Sequence, residues 1–119
     1  MALVSSRFPY IPLQVKITQQ QEVVLDIEAL VDTGFDGDLI IPRTIVAPGL
    51  RPDTHLTWRL ADGFDIDVTA YLGEVELPGL EGIHPVLISV LGEEPIVGRG
   101  VTDHFALILD HGLQVVVEL

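Results

Sequence analysis

Ile27-Glu28-Ala29-Leu30-Val31-Asp32-Thr33-Gly34, continued by Phe35-Asp36-Gly37-Asp38 and the apolar run Leu39-Ile40-Ile41, is the stretch around which the chain is organised. An apolar strand ends at an acid, Thr-Gly supplies a tight turn, and a second buried strand follows almost at once. Gly34 permits the turn and a close backbone approach that a Cβ would obstruct. The pattern predicts Asp32 at the end of a buried strand, where an ionised carboxylate is poorly hydrated and costly unless the chain uses it.

Upstream, Leu13, Val15 and Ile17 alternate with polar neighbours after Pro9 and Pro12, which predicts an edge strand beginning beyond its prolines. Gln19-Gln20-Gln21-Glu22 reads as a polar turn, and Val23, Leu25, Ile27 and Ala29 as the inner face of the strand that delivers Asp32. The two strands form a hairpin. Downstream, Pro42 and the segment 43–53, with Pro48-Gly49 and Pro52, predict a loop with one turn of helix. Leu56, Trp58 and Leu60, then Ile66, Val68, Ala70 and Leu72, flank Ala61-Asp62-Gly63-Phe64, a strong signal for a hairpin with Asp62-Gly63 at its exposed tip.

Pro78-Gly79-Leu80-Glu81-Gly82 is a further turn, Ile83 to Leu91 a buried strand, and Ile96-Val97-Gly98 a short apolar strand broken by glycine. Val101 to Phe105 is expected as a short helix, and 106–110 and 113–119 as a terminal hairpin about His111-Gly112. Sustained helical periodicity is absent. The fold class is all-β.

The 119 residues suit one domain spanning 1–119. A hydrophobic content of 48% exceeds what one small monomer is expected to cover, and a subunit interface would absorb the surplus. Eighteen acids against six scattered bases give a net charge of −12, which argues against nucleic acid and anionic membrane as partners. No cysteine is present, so disulfides, thiolate metal sites and a cysteine nucleophile are excluded. The N-terminal residues lack a long apolar segment and no run approaches membrane-spanning length, so a soluble, cytoplasmic protein is the expectation.

With these residues in place, the sequence resembles the retropepsin-like aspartic proteases, the small single-lobed relatives of pepsin, and specifically their bacterial members. The carriers are the apolar strand entering Asp32-Thr33-Gly34, the Leu39-Ile40-Ile41-Pro42 strand, the mid-chain hairpin at Asp62-Gly63, and Ile96-Val97-Gly98-Arg99. Asp-Thr-Gly alone is a weak motif. Apolar residues on both sides of it, with apolar-apolar-Gly-Arg much later, make a more specific pattern. The resemblance implies a closed β-barrel with one short helix near the C-terminus.

Peptide hydrolysis by carboxylates needs two of them sharing a proton, one acting as base on water while the other donates to the carbonyl. The chain offers only Asp32 in such a motif, since Asp53-Thr54-His55 lacks the glycine. The second carboxylate is therefore expected from another copy, in a homodimer with Asp32 of each subunit at the two-fold axis. By resemblance, Thr33 would hydrogen-bond across that axis, Gly34 would offer its backbone to substrate, and Asp36 and Arg99 would form a supporting ion pair. Phe35, the flap residues Ala61, Asp62, Gly63 and Phe64, and Ile96, Val97 and Gly98 would border an extended polypeptide substrate.

The resemblance thus implies an aspartic endopeptidase acting on extended hydrophobic segments, with no cofactor and no metal. Phe35 departs from the Ala or Ser that usually follows Asp-Thr-Gly. A ring there is expected to narrow the cleft, and the missing hydroxyl predicts a pH optimum nearer neutrality. The same residue keeps an alternative open, a dimeric peptide-binding or assembly module with little or no hydrolysis. A calcium loop at Asp32, Asp36 and Asp38 fails because Gly34 and Arg43 occupy ligand positions, and the four histidines lack zinc-ligand spacing.

Overall fold

The computed structural model describes residues 1–19 and 22–119. Among them the chain forms β1 (Ala2–Ser5), β2 (Tyr10–Thr18), β3 (Glu22–Val31), β4 (Leu39–Ile41), a 3-10 turn (Arg43–Ile45), β5 (Thr54–Arg59), β6 (Asp65–Glu76), β7 (His84–Val90), β8 (Ile96–Val97), α1 (Arg99–Thr102), β9 (Ala106–Asp110) and β10 (Gln114–Glu118). The molecule is mostly β, as the alternating apolar pattern predicts. The turn expected at Gln19–Glu22 includes residues 20 and 21, which lie outside the described residues.

Registration of the first hairpin fixes the position of Asp32. β2 and β3 pair from Tyr10 opposite Leu30 to Thr18 opposite Glu22. Ile11, Leu13, Val15 and Ile17 are fully buried on one face of β2. A one-residue slip would expose all of them at roughly 1.5–3 kcal/mol each, so the hairpin has one register and Val31 one end point.

Seven strands follow in the order β2-β3-β8-β4-β7-β6-β5, and β6 also pairs with β2. β2 is therefore not the edge strand that its prolines suggest. The β2–β6 pairing runs from Gln14 to Ile17, beyond Pro12, so the ring that lacks an N–H sits where β2 has a single neighbour. Gly73 makes this approach possible: a Cβ there would collide with the Lys16 carbonyl oxygen of β2. The alternation along β6 slips by one at Ala70–Tyr71, where both residues are buried. Leu72 consequently faces solvent, and the Tyr71 hydroxyl donates to the Leu50 carbonyl at 3.5 Å.

β8 inserts between β3 and β4, parallel to the first and antiparallel to the second, with Val97 opposite both Val31 and Leu39. The helix expected at Val101–Phe105 is formed two residues earlier, at Arg99–Thr102, because the chain turns directly from β8 with Gly98 as its N-cap. A second sheet, β1-β10-β9, packs Val115 and Val117 into the core and leaves Val4, Val116 and Ile108 opposite one another on its outer face.

Candidate active site

The Asp32 loop is held by backbone bonds on two sides. Leu30 and Asp32 donate their N–H groups to the Pro95 and Val97 carbonyls at 2.9 and 3.0 Å, extending the β3–β8 ladder into the turn. Beyond the turn, Gly98, Arg99 and Gly100 donate to the carbonyls of Asp38, Phe35 and Gly37 at 2.9, 2.9 and 3.0 Å. The start of α1 thus clamps residues 35–38 through three backbone hydrogen bonds.

Within this frame the Asp32 carboxylate accepts the Gly34 N–H at 2.9 Å, and the Phe35 N–H returns to the Asp32 carbonyl at 3.2 Å. Asp32, Thr33 and Gly34 are exposed on the single chain, in contrast to the poorly hydrated carboxylate that the apolar flanks predict. The burial belongs to Ala29 and to Leu39, on either side, while the turn between them projects from the sheet.

Phe35 folds back over its own loop. Its ring occupies the space above Gly37 and Gly98, where a Cβ on either glycine would collide with it. On its other side it meets Trp58 of β5, with ring centroids 5.5 Å apart. The ring therefore forms one wall of a cavity between loop and hairpin.

That cavity has a volume of about 570 Å³. Residues Phe35 to Asp38 form one wall and Leu56 to Arg59 of β5 the other, with Leu87 and Ser89 of β7 between them. Consecutive residues of β5 all border it, as happens when a strand presents its edge, and among the described residues β5 pairs with β6 alone. An unpaired strand edge beside a cavity is suited to an extended peptide, whose backbone adds to the sheet while a side chain enters the pocket. Asp38 braces this wall: its carboxylate accepts the Leu87 N–H at 2.8 Å.

The sequence-derived site residues are only partly brought together. Val97 is fully buried in the core, Gly98 lies beneath the Phe35 ring, and Ile96 is half-buried. Asp36 and Arg99 form no ion pair among the described residues, and both are exposed. An exposed pair gains only about 0–1 kcal/mol. The connection between the two segments runs instead through the Arg99 N–H to the Phe35 carbonyl. Ala61, Asp62, Gly63 and Phe64 form the exposed tip of the β5–β6 hairpin, with Gly63 at φ 89° and the Phe64 N–H donating to the Asp62 carboxylate at 3.0 Å.

Trp58, Asp38, Leu87 and Ser89 are cavity residues that the motifs did not mark. The alternation of Leu56 and Trp58 identified their strand but not the loop they would face.

His84 and His104 stack at 4.4 Å between centroids, with Phe105 edge-on to His84. Burial, and secondarily the His104 charge, hold His84 below its ordinary pKa of 6.5. No cluster of three potential metal ligands occurs among the described residues.

No protein-family model matches the chain, and no curated protein does. Among solved structures it is similar to the crystal structure of a retropepsin-like aspartic protease from Rickettsia conorii, at 12% identity and a TM-score of 0.61, over 98% of this chain and 90% of that one. At that identity the likeness establishes a shared fold. No helix among the described residues is long and apolar enough to cross a membrane.

Proposed function

We propose that the protein is an aspartic endopeptidase, active as a homodimer whose two copies of Asp32 face each other across a two-fold axis. The observation that carries the proposal is the placement of Asp32-Thr33-Gly34 on a clamped, projecting turn between β3 and β4, in a fold shared with a retropepsin-like aspartic protease. The exposure of Asp32 on one chain is what a site completed by a second copy requires. The paired strands β2, β3, β8, β4, β7 and β6 are read as the closed barrel of that fold.

In the dimer, close approach of two carboxylates makes them share a proton. One polarises a water held between them and the other donates to the scissile carbonyl, so attack requires no bound metal or cofactor. Thr33 bridges the two turns, and the Gly34 backbone faces the peptide. The β5–β6 hairpin covers a substrate strand laid along β5. Val4, Val116 and Ile108 on the outer face of the terminal sheet supply apolar surface for association.

The test is digestion of a proteome-derived peptide library, read by mass spectrometry, beside sedimentation of the same sample. Wild-type cuts that disappear in Asp32→Asn, from a protein that sediments as a dimer, are expected. A dimer that makes no Asp32-dependent cut from mildly acid to neutral pH would overturn hydrolysis and leave a peptide-binding or assembly module.

A further inference from the structure

The cavity beside β5 has chemistry that an apolar ligand leaves unused. Its lining includes two aromatic rings, Phe35 and Trp58, whose centroids lie 5.5 Å apart. Its rim carries Asp36, exposed and without a hydrogen bond or ion pair among the described residues. Asp38 adds a second carboxylate, although one of its oxygens is committed to the Leu87 N–H. Arg59 is the cation of the lining, and its Nε is held by the Asp65 carboxylate at 3.1 Å. The local balance is therefore negative, on a chain whose net charge is −12.

We infer that this cavity is a subsite for a lysine or arginine side chain of an extended peptide; the inference rests on the proposed peptide-binding cleft and refines its substrate class. The aliphatic stem of such a residue lies along the Phe35 and Trp58 faces, and the cationic head reaches Asp36. A purely apolar side chain of the same length would exclude water from the Asp36 carboxylate without replacing its hydrogen bonds. An acidic one would meet like charge from both aspartates. The volume, about 570 Å³, falls within the ~300–1,000 Å³ usual for small-ligand sites and leaves room for the peptide backbone beside β5. The substrate class becomes peptides with a basic residue among apolar ones, rather than uniformly hydrophobic segments.

Trp58 is the chain's only tryptophan and lies in the cavity wall, so its emission reports occupancy. Asp32→Asn protein, which allows binding to be read without turnover, is titrated with blocked hexapeptides in which each position in turn carries lysine or its neutral isostere norleucine. A lysine preference of about tenfold or more at one position, reduced to about twofold or less by Asp36→Asn and restored by Asp36→Glu, is expected. Arg59→Gln, which removes the competing cation and does not depend on Asp36, is expected to raise the preference. A preference of less than about threefold at every position, or one that survives Asp36→Asn unchanged, overturns the subsite. So does a preference that Arg59→Gln lowers, or a failure of every peptide to bind. If an Asp36-dependent preference persists while wild-type protein makes no Asp32-dependent cut, the subsite stands and only hydrolysis falls.

Discussion

The Phe35 and Trp58 rings lie 5.5 Å apart at an interplanar angle of 49°, joining the turn that carries Asp32 to the hairpin that projects beside it. Phe35 departs from the small residue expected at its position, and its ring is accommodated by Gly37 and Gly98 rather than by the space in front of Asp32. The ring thereby becomes part of the cavity wall beside β5.

Truncating that wall tests the contact. Because Phe35 is half-buried, Phe35→Ala is expected to lower unfolding free energy by about 2 kcal/mol, below the ~3–5 kcal/mol typical of fully buried phenylalanine. Urea unfolding measures the loss, and Trp58 emission in the folded state should shift to longer wavelength as its neighbour leaves. Unchanged emission together with a negligible loss would mean that the rings do not touch in solution.

Gly37 and Phe35 should be energetically coupled. The three atoms nearest a Cβ at Gly37 all belong to the Phe35 ring, so Gly37→Ala should cost about 1–3 kcal/mol in the wild-type background through overpacking. In Phe35→Ala protein the same substitution should cost far less, giving a double-mutant coupling of about 0.5–3 kcal/mol. Additive single effects would refute the packing described for this loop.

Asp38 is expected to be structural. Asp38→Ala leaves the Leu87 N–H without its acceptor and should cost about 1–3 kcal/mol, whereas Asp38→Asn keeps an oxygen in place and should cost less. Denaturant midpoints of the two variants decide the point, and equal losses would remove the hydrogen bond as the reason for an acid here.

His84 should make stability fall on acidification. Its folded pKa lies below 6.5, chiefly through burial and then through the His104 charge, so the unfolded chain binds more protons in the interval between the two values. Stability is therefore unaffected by this group well above 6.5 and declines as pH falls from 6.5 toward the folded value. Urea midpoints across that interval should fall less steeply in His84→Gln than in wild type, with His104→Gln intermediate. Parallel slopes in all three proteins would exclude His84 as the source.

Alternation marked β2, β3, β5 and β6, because a half-buried strand writes its inner face into every second residue; β4 was marked instead by its unbroken apolar run, and the β5–β6 and β9–β10 hairpins by Asp62-Gly63 and His111-Gly112 between their strands. The Asp32 turn was legible because an acid and a glycine stand between two apolar runs, but its exposure was not, since those apolar flanks predict a buried carboxylate. Four-residue β1 was not legible, since its pairing partner β10 lies at the other end of the chain. Nor was the second neighbour of β2, which rests on Gly73 letting β6 approach the Lys16 carbonyl.

Only the tertiary structure decided which way Phe35 points, that Val97 belongs to the core, and that the Arg99 N–H meets the Phe35 carbonyl while Asp36 and Arg99 form no ion pair among the described residues. It also brought β5 and β7 against residues 35–38 to enclose the cavity. A period-two pattern records which face of a strand is buried, but it carries no information about the neighbour that buries it. That neighbour is chosen by pairings across the sheet, here the insertion of β8 between β3 and β4, which fixes the Asp32 loop against α1.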